Sequence, residues 1–192
     1  MKHKASYYLI NGITIYRIIA APIILIFLLN HELGWFKWLL AFSFFTDAID
    51  GYLARWSNTA SALGATLDSI GDDLTILVAI IGVILIDPLF IKEELTYIIL
   101  LVGLYLTQTI FSLFRYGKLS GFHTYLAKIA TVFQAAFLLT FFFVKPISLL
   151  FYFMLVITAI NLLEEIILVW MLPRWEINVK GLYWVLKRKM MK

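Results

Sequence analysis

Apolar residues run almost unbroken through six stretches of the chain, 13–30, 35–56, 66–86, 95–114, 126–144 and 147–172, with short polar segments between them. Each is long enough, at about 1.5 Å per residue, for an α-helix to cross a hydrocarbon core roughly 30 Å thick. The pattern predicts an all-α polytopic membrane protein with six transmembrane helices. Lipid-facing strands would alternate polar and apolar residues, and these runs do not, which excludes a barrel. No low-complexity segment or shift in composition marks a boundary, so residues 1–192 are expected to form one membrane domain. After the last run, "RWEINVKGLYWVLKRKMMK" sets Trp175, Ile177, Leu182, Trp184, Val185 and Leu186 among basic residues. That mixture predicts an amphipathic C-terminal segment lying in the headgroup region.

Composition supports the same class: 62% of the 192 residues are hydrophobic, only 15% are charged, and mean hydropathy is +0.92. Six spans put both termini on one side, and the Lys/Arg distribution identifies it. Thirteen Lys and Arg share the face of the termini, against Lys37, Lys92 and Lys145 opposite. Setting aside Arg17, Arg55, Arg115 and Lys128 as candidates for a site still leaves nine against three. Cytoplasmic termini in a plasma or inner membrane are therefore expected. The net charge of +4 follows from this topology and from contact with anionic membrane lipids, and no basic-aromatic platform points to nucleic acid. Lys2 and Lys4 precede the first run as in a signal peptide, but Asn11 and Arg17 interrupt it and it continues to span length, so a retained span is expected. The absence of cysteine excludes disulfides and thiolate metal sites.

Against this apolar background, "DAIDGYLARWSNTASALGATLDSIGDD" carries five aspartates. If 47–56 continues the second span and 64–73 begins the third, the helical period gathers Asp47, Asp50, Gly51 and Ala54 on one stripe, and Gly64, Asp68 and Asp72 on a facing one. The short polar link makes the two helices an antiparallel hairpin, with Asp47 matching Asp72 in depth and Asp50 matching Asp68. Four carboxylates one to two turns below the cytoplasmic boundary cannot stay ionised together without cations. Arg55 lies beside the stripe. Oxygen ligands at this density, with no His or Cys among them, select hard divalent ions, and two Mg²⁺ or Mn²⁺ would neutralise the four charges. Such a pair suits phosphoryl chemistry. Gly51, Ala54 and Gly64 leave a trough in which a nucleotide or pyrophosphate fits, although small residues also serve plain helix packing.

Written out, Asp47-x2-Asp50-Gly51-x2-Ala54-Arg55-x8-Gly64-x3-Asp68-x3-Asp72 resembles the complete signature of the CDP-alcohol phosphatidyltransferases, membrane enzymes of phospholipid synthesis. Asn11, Thr14, Arg17 and Pro22 resemble the opening of the first span in that family. The resemblance implies that Asp47, Asp50, Asp68 and Asp72 hold two divalent ions on the diphosphate of a CDP-linked lipid donor. It implies that Gly51, Ala54, Arg55 and Gly64 line the nucleotide site, and that Asp72 is general base for an acceptor hydroxyl that attacks phosphorus and displaces CMP. A homodimer is implied as well. Asp73 falls outside the signature and points about 100° from Asp72.

For the acceptor, a small polar alcohol, Gln108, Ser112 and Arg115 share a face of the fourth span, and Lys128, Thr131 and Gln134 one of the fifth. Arg115, Lys118, Lys128 and Thr131 are candidate acceptor-binding residues, with the cations suited to a phosphate. The alternative is that Arg115 and Lys118 only mark the cytoplasmic loop while Lys128 snorkels. "LAKIATVFQ" resembles the glycerol 3-phosphate branch of the family, with inositol phosphate or another polar alcohol as alternatives. Glu164 and Glu165 lie about as deep as the aspartates, so at least one is expected to face the bundle, with Arg17, Lys128 or the acceptor as partner. His123 has no acidic or histidine neighbour at helical spacing and is expected in a loop or interface. Two rivals remain: an intramembrane Mg-dependent prenyltransferase, which would need two separated aspartate motifs, and a divalent-cation transporter, which would need carboxylates along a path to the far side.

Overall fold

The computed structural model describes residues 5–57, 62–120, 122, 124–176 and 179–190, without the side chains at 5–11, 13, 14, 48, 50–57, 62–66, 68 and 69. Among the described residues there are seven helices and no strand: α1 (Ala5–Leu29), α2 (Leu33–Ser57), α3 (Ala62–Ile86), α4 (Pro88–Tyr116), α5 (Tyr125–Phe143), α6 (Ser148–Met171) and α7 (Leu182–Met190). The all-helical expectation is met, and each of the six apolar runs has its helix. α1 and α4 start well before their apolar runs, because an apolar run measures lipid exposure and not where the helical backbone begins. Pro88 suits the first position of α4, where a missing N–H costs nothing. By length and composition, α4, α5 and α6 are able to cross a membrane, and α1 contributes a shorter apolar stretch, Ile15–Leu29.

The chain divides into two compact units, residues 1–88 and 89–192. In the first, α1 packs along both α2 and α3, whereas α2 and α3 touch each other much less. Arg17, Ala20, Ala21, Ile24 and Leu28 are the buried face of α1, repeating as a helix requires. Phe36, Leu40 and Ser43 are buried on α2, and Thr75, Val78, Ala79 and Val83 on α3. Alanines in this set allow close backbone approach, which lipid-embedded helices need because lipid offers no hydrophobic drive to associate. The sequence pattern faces α2 against α3, but α1 takes the larger part of both.

In the second unit, α6 is flanked by α5 and α7. Phe90, Phe137, Phe141 and Phe151 pack ring on ring, with centroids 5.1–6.1 Å apart. At the other end, Phe122, Leu168, Val169, Leu172, Val179 and Val185 form an apolar core, against which Leu182 also packs. Gly117 ends α4 with φ of 65° and returns its N–H to the Leu113 carbonyl at 2.8 Å, a left-handed stop that favours glycine. Thr124 caps α5 by accepting from the Ala127 N–H at 3.0 Å.

The C-terminal segment is helical only from Leu182, and before that it folds back on its own unit. Trp175 Nε1 donates to the Leu119 carbonyl, and the Tyr125 N–H to the Lys180 carbonyl. Ile177 lies outside the described residues. Val185 is buried, while Tyr183, Leu186 and Met190 share an exposed apolar face of α7. Arg188 makes a two-nitrogen pair with Glu176, which holds its guanidinium above the usual arginine value. Glu164 Oε1 accepts from the Leu182 N–H at 2.9 Å, satisfying a first-turn donor of α7.

Gly181, with φ of 146°, makes that junction possible, since a Cβ there would meet Glu164 Oε1 at 3.1 Å. Gly181→Ala should cost more than about 1 kcal/mol at this turn and speed tryptic cleavage at Lys187, Arg188 and Lys189. Unchanged cleavage would show that Gly181 does not set the docking of α7.

Candidate functional site

Position along the helices brings the first site together. Asp47 lies ten residues before the last residue of α2 and Asp72 ten after the first residue of α3, so antiparallel neighbours hold them at matching depth. Arg17 stands midway along α1 and is 1% exposed. Its Nη1 donates to Oδ1 of Asp47 and to Oδ1 of Asp72, so one nitrogen joins three helices. The glycine at 71 faces it: a Cβ there would lie 3.6 Å from Arg17 Cβ and Nε, in ordinary contact. The two carboxylates differ in access, with side-chain exposure of 22% for Asp47 and 36% for Asp72.

From the sequence, Arg17 counts among the site candidates with Glu164 or Glu165 offered as its partner, whereas the structure pairs it with Asp47 and Asp72. Its signal is in the sequence all the same: a lone charge inside an apolar run needs a counter-charge at its own depth. Asp50, Gly51, Ala54, Arg55, Gly64 and Asp68 are on the helices, but beyond the backbone they lie outside the described residues. His123 also lies outside them. Asp73 is exposed, one position round the helix from Asp72.

A divalent ion would find hard oxygen donors here. Asp47 and Asp72 reach the same nitrogen, so their oxygens are close enough for one small cation to take both. Among the described residues no group of three acidic or histidine side chains forms a metal cage. Asp50 and Asp68, one helical turn along their helices toward the α2–α3 link, are the signature's remaining carboxylates.

In the second unit, each of the four candidate acceptor residues has a local partner. Arg115 Nε and Nη2 donate to the Leu172 carbonyl at 3.3 and 3.2 Å, and Tyr116 donates to the same oxygen at 2.9 Å. With Lys189 donating to the Met171 carbonyl, three side chains satisfy the end of α6, where the helix dipole favours cations. Lys118 Nζ stands 4.7 Å from the Trp175 ring centroid, and Lys128 Nζ 5.0 Å from that of Tyr125. Thr131 is exposed and donates to the Ala127 carbonyl. Glu165 turns inward, accepting from Gln108, Ser120 and Asn161.

Comparison with known proteins gives one family, described as CDP-alcohol phosphatidyltransferase, whose model matches residues 7–172 and so crosses from one unit into the other. Among curated proteins, the chain is 35% identical over 75 residues to the CDP-diacylglycerol–glycerol-3-phosphate 3-phosphatidyltransferase of Cereibacter sphaeroides, covering 37% of this chain and 34% of that one. It is 39% identical over 66 residues to the CDP-diacylglycerol–inositol 3-phosphatidyltransferase of Saccharomyces cerevisiae, covering 34% and 30%. It is 34% identical over 91 residues to the human cardiolipin synthase (CMP-forming), covering 47% and 30%. The matched stretches thus span about a third of each relative's length. No solved structure matches significantly.

Arg17→Leu should destabilise the metal-free protein by on the order of 2 kcal/mol, below the roughly 3–5 kcal/mol of a fully buried pair because both aspartates keep some access to solvent. Thermal melting in detergent with EDTA measures this, with Arg17→Lys recovering part of the loss. A wild-type melting temperature for Arg17→Leu would show that the bridge contributes nothing.

Proposed function

Because the chain belongs to the CDP-alcohol phosphatidyltransferase family, we propose that it transfers a phosphatidyl group from a CDP-linked lipid such as CDP-diacylglycerol to the hydroxyl of a small polar alcohol, releasing CMP. The observation that carries this reading is the meeting of Asp47 and Asp72 across one arginine nitrogen. Carboxylates held together within an apolar bundle need cations, and a cation-filled carboxylate site suits a diphosphate.

Asp47, Asp50, Asp68 and Asp72 would hold two Mg²⁺ or Mn²⁺ ions, which when bound supply the positive charge that offsets the diphosphate and its leaving group. Gly51, Ala54, Arg55 and Gly64 form the nucleotide's trough. Arg17 keeps Asp47 and Asp72 convergent. Asp72, the more exposed of the two described carboxylates, takes the acceptor's proton. The alcohol oxygen then bonds to the phosphorus that bears the lipid, the bond from that phosphorus to the CMP oxygen breaks, and CMP leaves with the electron pair. Six spans, cytoplasmic termini, a plasma or inner membrane location and a homodimer complete the proposal. Glycerol 3-phosphate and inositol, which stand in the names of two relatives, mark the kind of acceptor.

The purified chain in lipid, given CDP-diacylglycerol, Mg²⁺ or Mn²⁺ and a panel of glycerol 3-phosphate, inositol phosphate, serine and inositol, should release CMP with at least one acceptor. EDTA should abolish release, and Asp72→Asn should slow it by roughly 10²–10⁴-fold while donor binding persists. Wild-type turnover in Asp72→Asn would remove its role as base, and manganese flux into vesicles without CMP release would favour a transporter.

Topology has its own check in this cysteine-free sequence. A cysteine placed at Lys187 should react with an impermeant maleimide only from the cytoplasmic side, and one at Lys145 only from the opposite side. The reverse labelling would invert the proposed orientation.

A further inference from the structure

Within the second unit, a buried polar cluster plays no part in the chemistry assigned to the aspartates. Thr158, Asn161 and Glu165 follow one another along one face of α6. Gln134 Nε2 donates to Thr158 Oγ1 at 3.1 Å, and Asn161 Nδ2 to Glu165 Oε1 at 3.2 Å. Gln108 Nε2 donates to Glu165 Oε2 at 2.9 Å and to Ser120 Oγ at 2.6 Å, and Ser120 Oγ donates to Glu165 Oε2 at 2.6 Å. Gln108 and Asn161 are 3% and 7% exposed, while Ser120 and Glu165 are half-buried.

Hydrogen bonds between helices also hold membrane bundles together, and that role accounts for every bond just described. It does not account for Asn161 Oδ1, which is buried without a hydrogen-bond partner among the described residues. Reversing the amide would only turn that oxygen onto the Glu165 carboxylate, acceptor against acceptor. Asn161 Oδ1 is therefore able to accept from a donor that a bound molecule brings. A phosphate offers mainly acceptor oxygens and is repelled by the adjacent carboxylate. The cations that would attract it lie against other groups: Arg115 on the end of α6, Lys118 and Lys128 over aromatic rings. An ammonium would be drawn to a carboxylate, yet the unmet acceptor is a neutral carbonyl and the carboxylate already receives three donors. A hydroxyl fits, since it donates to Oδ1 and can accept in turn.

We propose that Asn161, Glu165, Gln108 and Ser120 form a binding site for the adjacent hydroxyls of an uncharged polyol group, with Asn161 Oδ1 accepting from one of them. This deepens the transferase reading and rests on it, since a small polar alcohol is the acceptor proposed there. The same hydroxyls occur on a free polyol and on a lipid headgroup such as that of phosphatidylglycerol. The site favours either over an acceptor recognised mainly through phosphate.

The test uses the full chain in phosphatidylcholine nanodiscs, with equilibrium binding of labelled inositol, glycerol, glycerol 3-phosphate and serine. Inositol or glycerol should bind saturably, about tenfold or more weaker in Asn161→Leu and in Ser120→Ala, a loss of the size expected for a site built around substrate hydroxyls. Displacement of the label by phosphatidylglycerol doped into the discs identifies a lipid-borne polyol, and no displacement identifies a free one. Absence of saturable polyol binding, equal affinity in the variants, or tighter binding of glycerol 3-phosphate or serine would overturn the assignment. Ser120→Ala changes one hydroxyl in a loop and keeps the test decisive if Asn161→Leu does not fold. CMP release in the same discs separates the two claims. Release with a polyol acceptor whose KM neither substitution raises contradicts the site alone, and polyol binding without CMP release under any condition contradicts the transferase reading alone.

Discussion

Charge buried among apolar helices has to be matched where it stands, and the junction of Arg17 with Asp47 and Asp72 is where this chain meets that requirement. A guanidinium that is 1% exposed would be costly without anions, and two carboxylates reaching one point would repel without a cation. The solution fixes more than charge. It sets α1 between α2 and α3, holds two aspartates in register, and gives the small faces of α1 and α3 a reason to approach closely. The convergence of this carboxylate pair is what the proposed metal chemistry rests on.

The second unit meets its polar requirements differently. Around Glu165 the described partners are neutral amides and a hydroxyl, and at the end of α6 the donors are Arg115, Tyr116 and Lys189 on main-chain oxygens. One end of α6 is thus closed by donors, while further back along the helix a carbonyl remains unmet. The first unit sets its carboxylates on a cation, the Arg17 guanidinium, and the second surrounds a carboxylate with neutral donors.

Much of this was legible in the sequence, for physical reasons that differ by element. That each apolar run carries a helix followed from its length and lack of alternation, though the starts of α1 and α4 did not. The depth match of Asp47 and Asp72 followed from helical rise and a short link. Arg17 was harder, because its partners lie 30 and 55 residues away and only packing of α1 reveals them. For Arg115 and Lys118 the sequence shows only basic residues near a boundary, and the structure adds their local partners, the Leu172 carbonyl and the Trp175 ring. Of the two glutamates, Glu165 turns inward, as is expected of at least one of them, whereas the partner of Glu164 is a backbone N–H beyond a left-handed glycine, which no side-chain pattern encodes. Nor does the sequence show that the oxygen of Asn161 is left over, since that depends on where every neighbouring donor points.

Manganese titration of the purified chain followed by electron paramagnetic resonance tests the central claim most directly, because it reads the aspartates without requiring an acceptor. The account predicts two Mn²⁺ ions per chain in the presence of CDP, magnetically coupled, with Asp47→Asn or Asp72→Asn weakening uptake. Failure of the wild-type chain to take up Mn²⁺ with CDP present, or uptake untouched by either substitution, would contradict it.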